Sequence, residues 1–288
     1  MQKLTMPVKV KLRLLAAGAC KHPEALTLRG GTFRPVPFPA GFACIEHPEQ
    51  GIVLFDTGYS SRFFLETARL PAALYRWITP VAFEETDSAA SRLRELGIDQ
   101  ADVRHIVLSH MHADHIGGAR DFPQAQFYYK EVAYRSVAKL GKLASVRAGY
   151  LPGLLPDDMP ERSRMLDNCK AIKLPDSVPY GSGYDVFGDG SLIAVDIPGH
   201  AAGQIGLFAS TERHTYFLCA DAVWFSRAYR EGRPPHALAG LIMADRRQYG
   251  DTFDRLCRLH AAHPEVRIVP SHCPEALAAW AGEGGCVS

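Results

Sequence analysis

The chain has 288 residues, of which 47% are hydrophobic and 22% charged, the composition of an ordinary globular protein rather than a disordered one. Lys and Arg number 32 against 31 Asp and Glu, a formal net charge of +1. Binding to a phosphate backbone calls for a basic excess or stripe, so no nucleic-acid partner is expected.

Cys20, Cys44, Cys169, Cys219, Cys257, Cys273 and Cys286 are odd in number and include no C-x-x-C pair. That argues against a disulfide framework or a zinc ribbon and for reduced thiols in a cytoplasm. Lys3, Lys9, Lys11 and Arg13 precede an apolar stretch, but they alternate with Val8, Val10, Leu12 and Leu14. Alternation with period two predicts a half-buried strand over 8–15 and is unlike the unbroken apolar run of a signal peptide. No apolar stretch approaches transmembrane length.

Pro35, Pro37 and Pro39 predict an irregular segment, followed by a strand over Phe42–Glu46. A turn at His47–Gly51 and a strand over Ile52–Phe55 complete a hairpin that ends in Asp56-Thr57-Gly58. Residues 60–80 read as short helices overhanging a site. Asp87–Leu96 has helical spacing, with Gly97 just past its end. Strands are expected at Val103–Leu108 and Ala125–Tyr129. Residues 131–165 read as helical and then loop-like, a solvated amphipathic face that could also serve as a lid or a homodimer contact. Gly181-Ser182-Gly183 reads as a turn, and Asp189-Gly190 as a hairpin signal. Further strands are expected at Ala171–Leu174, Leu192–Asp196, Gln204–Ala209, Thr215–Cys219 and Val266–Val269. Helices are expected at Asp245–His263 and Glu275–Trp280. With no repeat and no linker, residues 1–288 read as one domain, with helical insertions near 60–80 and 131–165.

The chemistry concentrates in Ser109-His110-Met111-His112-Ala113-Asp114-His115. An H-x-H-x-D-H string arises by chance in about one chain of this composition in a thousand. Four ligand-type side chains in six positions, directly after a buried strand, would repel or stay unpaired without a cation. In an extended segment i and i+2 point to the same side, so His110 and His112 can grip one ion. Asp114 and His115 fall at the next bend and can face a second. Imidazole with carboxylate suits zinc, and iron or manganese also fit. Three more ligand-type residues stand just past apolar strands: His200 in Pro198-Gly199-His200, Asp221 after Tyr216–Ala220, and His272 in Pro270-Ser271-His272. Cys273 abuts the last of these.

This order of H-x-H-x-D-H, His, Asp and His resembles the metallo-β-lactamase superfamily, from Asp56-Thr57-Gly58 to His272. The resemblance implies an α+β fold, an αββα sandwich of two mixed sheets flanked by helices. It implies that His110, His112 and His200 bind one divalent metal ion, that Asp114, His115 and His272 bind a second, and that Asp221 bridges them. Two divalent cations bring four positive charges, of which Asp114, Asp221 and one hydroxide leave one uncompensated. A bridging water should then ionise near neutral pH and act as nucleophile, with Asp114 or Asp221 shuttling the proton to the leaving group. In such a family Asp56 would orient a ligand histidine. The plain alternative is a strand-end turn in which Gly58 takes positive φ.

Within the superfamily the chain is most similar to N-acyl homoserine lactonases. Those usually carry a tyrosine three residues after the bridging aspartate, where this chain has Trp224. Indole donates an N–H but is no phenolic acid, which leaves lactone or carboxylic ester hydrolysis more broadly. A thioester or organophosphate ester hydrolase would use the same ligands. A catalytically silent or redox metal-binding protein is a further reading, and no second domain for a flavin is visible. Trp224, Phe225 and Tyr229 are candidates for the wall of the substrate pocket.

Overall fold

The computed structural model describes Leu4 and residues 6–280. The first sheet is built from β1 (Lys11–Pro23), β2 (Pro35–His47), β3 (Gly51–Phe55), β4 (Val81–Ala82), β5 (Val103–Val107), β6 (Gln126–Tyr129) and β7 (Ser163–Met165), in the order β4-β1-β2-β3-β5-β6-β7. The second is built from β8 (Lys170–Lys173), β9 (Ser182–Asp185), β10 (Leu192–Asp196), β11 (Ile205–Ser210), β12 (Thr215–Ala220) and β13 (Arg267–Pro270), in the order β13-β12-β11-β10-β9-β8. Both are mixed. β3, β5, β6 and β7 run parallel, β12 and β13 run parallel, and the remaining pairs are antiparallel.

The helices are α1 (Glu24–Thr27), α2 (Arg62–Glu66), α3 (Ala73–Ile78), α4 (Ala89–Glu95), α5 (Ala113–Ile116), α6 (Glu131–Arg135), α7 (Lys142–Arg147), α8 (Ser226–Arg230), α9 (Arg246–Ala262) and α10 (Pro274–Trp280). Period-two patterning decides which side chains meet. Leu12, Leu14, Ala43 and Ile45 point inward from the first sheet and pack on Ala194, Leu207, Ala209 and Leu218 of the second. The alternate residues of the second sheet, among them Ile193, Phe208 and Phe217, pack outward on Tyr249, Phe253, Leu256 and Leu259 of α9. Phe42, Cys44, Leu54 and Ile106 face outward from the first sheet, beneath Phe63, Leu93 and Ile116 of α2, α4 and α5. The layers are therefore αββα, as the motif order implied.

Several strands depart from the sequence expectation. β1 starts at Lys11, later than residue 8, and runs on to Pro23 through a register shift between Ala16 and Ala19. The segment 35–39, expected to be irregular, is the first half of β2, with Pro39, Pro37 and Pro35 facing Ala19, Lys21 and Pro23. Three prolines at alternate positions turn their nitrogens to the same edge, and β3 pairs only from Ala43 onward. Gly41, next in that series, donates its N–H to the Ser271 carbonyl and not to β1. The missing donors thus fall on an edge with no ladder to lose. Ser182 and Gly183, read as a turn, belong to β9, because Gly181 at φ 70° completes the reversal before them. The short strands β4 and β7 were also unforeseen. Each has three residues or fewer, below the length at which alternation can be read.

The described cysteines are free thiols, and Cys286 lies outside the described residues. Among the described residues no helix is long and apolar enough to cross a membrane.

Candidate metal centre

The first sheet delivers one set of side chains to the seam between the sheets. β5 ends at Val107, and the chain runs through Leu108 and Ser109 to His110 before α5 begins at Ala113. The Ile205 N–H donates to the Ser109 carbonyl and ties this segment to the second sheet. His112 stands at the start of α5, and Asp114 and His115 lie within it. The carbonyl of His115 accepts from both the N–H and the hydroxyl of Thr57, at 2.8 and 2.9 Å, which fixes α5 against the end of β3. The second sheet delivers the rest: His200 follows β10, Asp221 follows β12 and His272 follows β13. These three strands point the same way, because β10 and β12 are both antiparallel to β11 and β13 is parallel to β12. Their carboxyl ends share one edge.

The seven side chains form three overlapping donor groups. His110, His112 and His200 offer atoms within 4.8 Å of one another, as do His110, His115 and Asp221, and as do Asp114, His115 and His272. His200 Nε2 lies 2.9 Å from His112 Nδ1 and 3.2 Å from Asp221 Oδ2. Asp221 Oδ1 lies 3.3 Å from His115 Nε2 and 3.2 Å from His272 Nε2, and Asp114 Oδ2 lies 3.4 Å from His272 Nε2. All but His112 and Asp114 are buried.

The far nitrogens of two imidazoles are already committed. His115 Nδ1 lies 2.8 Å from Asp56 Oδ2, and His272 Nδ1 lies 2.8 Å from the Pro39 carbonyl oxygen. Both rings therefore present Nε2 to the centre. Asp56 also accepts the Ser109 N–H at 2.8 Å and the Ser109 hydroxyl at 2.7 Å. It is fully buried with φ 61°, and Gly58 takes φ 64° as the turn required. Ala220, immediately before Asp221, has φ 44°. Among the described residues Asp56 and Ala220 alone combine a side chain with positive φ. Both adjoin the donor groups, the placement expected of strain held at a working site.

Burial holds His110 well below its ordinary value and lowers His112 to about 3. It lowers His200 as well. These three rings are neutral lone-pair donors. Burial also opposes charge on His115 and His272, but Asp56, Asp221 and Asp114 outweigh it for the first, and Asp221 and Asp114 for the second, so both are raised. Burial would raise Asp221, yet His272, His115 and His200 hold it well below the carboxylate range.

The residues fit divalent cations. His110 Nε2, His115 Nε2 and Asp221 Oδ1 are buried and make no hydrogen bond, a cost few proteins leave uncompensated. The donors are imidazole nitrogens and carboxylate oxygens, the set that zinc, iron and manganese take. Cys273 is not among them, because its sulfur accepts the Ser226 N–H at 3.3 Å.

A cavity of about 300 Å³ opens beside His112 and His200. Its walls come from Ala133 of α6, Val137 just beyond it, Ala144 and Arg147 of α7, and Leu241 and Ile242. Residues 131–148, read from the sequence as a solvated face, thus build one side of the cavity, and the segment around 241 builds the other. Trp224 does not line it. The indole is buried, edge-on to His200 at 5.5 Å and stacked on Tyr249 at 6.1 Å, so it backs the His200 ring. Phe225 lies on the His272 side, 5.2 Å from Phe38. Tyr229 is turned into the core, its hydroxyl donating to the Ile268 carbonyl and its ring against His260.

The comparisons with known proteins agree with this architecture. The chain is 29% identical over 239 residues to a probable metallo-hydrolase of Mycobacterium tuberculosis, covering 79% of this chain and 72% of the relative. It is 27% identical over 282 residues to the N-acyl homoserine lactonase AttM of Azorhizobium caulinodans, covering 93% and 94%. A solved N-acyl homoserine lactone hydrolase, with the product N-hexanoyl-L-homoserine at its catalytic metal center, superposes with a TM-score of 0.68 at 19% identity over 95% of this chain and 97% of that one. The sequence profile of the metallo-β-lactamase superfamily matches residues 44–272, from β2 to the last candidate ligand, and the chain belongs to that superfamily.

Proposed function

We propose that the chain is a dinuclear metal-dependent hydrolase of lactones or carboxylic esters. His110, His112 and His200 would hold one divalent cation, Asp114, His115 and His272 the other, and Asp221 both. The observation that carries this reading is the overlap of the three donor groups at His110 and His115, with His110 Nε2, His115 Nε2 and Asp221 Oδ1 buried and without a hydrogen bond. Zinc is the metal proposed, with iron or manganese as the alternatives. When bound, the two cations supply Lewis acidity and a water acidic enough to ionise near neutral pH.

The chain's own residues do the rest. Asp56 and the Pro39 carbonyl hold His115 and His272 in the tautomer that turns Nε2 inward. Asp114, partly open to solvent, takes up a proton on its carboxylate and returns it to the departing alkoxide. The apolar walls of the cavity seat the acyl portion beside His112 and His200 and exclude water from it. Because both sheets contribute ligands, the two halves act as one domain. The lactonase relatives favour a lactone, and Trp224 at the usual tyrosine position favours a broader ester range.

The test combines elemental analysis of protein prepared without added metal with assays on lactones, p-nitrophenyl esters, thioesters and phosphotriesters. Two equivalents of metal per chain and chelator-sensitive turnover of lactones or carboxylic esters are expected. One equivalent or none in fully active protein would end the dinuclear reading. Turnover confined to thioesters or phosphotriesters would move the substrate class.

A further inference from the structure

Large apolar side chains that stand exposed are not scattered over this protein. Among the described residues all but Phe33 fall within residues 65–78, 132–143 and 238–242. The first stretch holds α3, the second leads into α7, and α3 packs beside α7. The second and third stretches flank the cavity, which α7 lines through Ala144 and Arg147 and the other side through Leu241 and Ile242. Trp77, Leu143 and Leu241 are 64%, 65% and 67% exposed. On α3, Leu74, Trp77 and Ile78 share one face at helical spacing, and on α7 Leu143 shares a face with Arg147. An ordinary amphipathic helix turns such residues inward. Here the second and third stretches rim the cavity and the first extends that rim through α3 beside α7, an apolar collar of the kind that marks an interaction surface.

The charge of this collar is predominantly basic, with Glu66 as the one carboxylate in its three stretches. Residues 67–80 and 132–151 contain Arg69, Arg76, Arg135, Lys139, Lys142 and Arg147 and no carboxylate. Arg135 is paired with Glu131 at 3.3 Å, whereas the other five make no hydrogen bond or ion pair among the described residues. A twofold contact between copies would set these cations against each other, since a self-complementary interface meets its own charge. A nucleic acid would use the cations but leave the aliphatic and indole groups without a role. Exposed Trp, Leu and Ile interleaved with unpaired Lys and Arg match the boundary between acyl chains and anionic headgroups.

We propose that this face docks reversibly on an anionic lipid surface, with Trp77, Ile78 and Leu143 entering the acyl boundary and Lys139 and Lys142 meeting the headgroups. The cavity then opens toward the membrane. On the hydrolase reading above, on which this clause alone rests, its substrates are lipophilic esters or lactones that partition into the bilayer.

Flotation of the full chain with vesicles of phosphatidylcholine alone, and of phosphatidylcholine with phosphatidylglycerol in equal amounts, tests this directly. Binding to the mixed vesicles at low ionic strength is expected, with loss at high salt. K139E/K142E should lower the partition constant at least tenfold, since each cation near such a surface contributes about fivefold. W77S/I78S should weaken binding to a similar degree. Both pairs are exposed, so unchanged melting temperatures identify properly folded variants, and L143S replaces either pair that fails to fold. Absence of flotation at low salt, or flotation unaffected by both pairs, overturns the proposal. So does a lipid-free dimer that W77S/I78S converts to monomer, which would give the face to a second copy. Flotation requires no turnover, so a failed ester or lactone assay leaves this test intact.

Discussion

His272 Nδ1 lies 2.8 Å from the carbonyl oxygen of Pro39, a contact between the end of the second sheet and a proline-rich strand of the first. The same strand receives Phe38 against the His272 ring, at 6.5 Å between centroids. The prolines that made residues 35–39 unreadable as a strand therefore supply a rigid acceptor for a candidate ligand. A backbone carbonyl is the partner least sensitive to substitution, which sets His272 apart from His115, whose partner is the side chain of Asp56.

That difference makes Asp56 the more exposed target. Asp56→Ala removes the acceptor for His115 Nδ1, the Ser109 N–H and the Ser109 hydroxyl together. Metal affinity is expected to fall roughly 10–100-fold, the usual effect of losing the partner of a ligand histidine. Competition with a chromophoric chelator measures it. Equal retention in wild type and variant would show that His115 needs no such support.

Gly149 offers a second route to the same centre. It has φ 65°, and a Cβ built there would stand 2.9 Å from the His112 ring. Its carbonyl also accepts the Ala113 N–H at the first residue of α5. Gly149→Ala should displace His112, which loosens metal held by His110, His112 and His200 and lowers the melting temperature. Unchanged metal content together with an unchanged melt would disprove the close approach.

For Trp224 the structure predicts a packing role. With the indole buried between His200 and Tyr249, Trp224→Ala should cost about 3–5 kcal/mol of stability. Trp224→Phe should recover most of it. Denaturant unfolding reads the loss. A raised KM on an unchanged unfolding curve would place Trp224 in contact with substrate instead.

Acid stability should report on His105. Burial first, then His47 and Arg104, lower it from 6.5 to about 4. The ring sits against Phe187 at 5.0 Å and Tyr128 at 5.6 Å. The unfolded chain takes up a proton there near pH 6.5 and the folded protein only near pH 4. Its contribution is therefore complete above about pH 6.5 and declines as pH falls from there toward 4. Melting temperatures across that window should flatten in His105→Gln. An identical slope in both proteins would remove His105 from the account.

The site was more legible than the pocket, for a physical reason. His110, His112, Asp114 and His115 are adjacent in the chain, so one loop states most of the donor set, and His200, Asp221 and His272 each announce themselves by following an apolar strand. The layers were legible because the start of β1 alternates, whereas β10 and β12 are near-continuous apolar runs buried on both faces. The cavity walls were not, since Ala133, Ala144 and Leu241 come from distant segments whose meeting depends on tertiary packing. Tyr229 was expected near the candidate ligands from its position in sequence, but packing between the second sheet and α9 took its ring into the core, while Trp224 stays beside His200 with its indole buried. Nothing in the residue pattern distinguishes an aromatic that lines a cleft from one that backs it.

The division of the donors between the two sheets has a consequence for how the protein comes into being. His110, His112, Asp114 and His115 emerge with the first half of the polypeptide, and His200, Asp221 and His272 with the second. Neither half alone carries a complete set. On the proposed ligand set, a nascent chain arrested midway would have no high-affinity place for a cation, and tight metal capture would wait until the two halves had closed on each other.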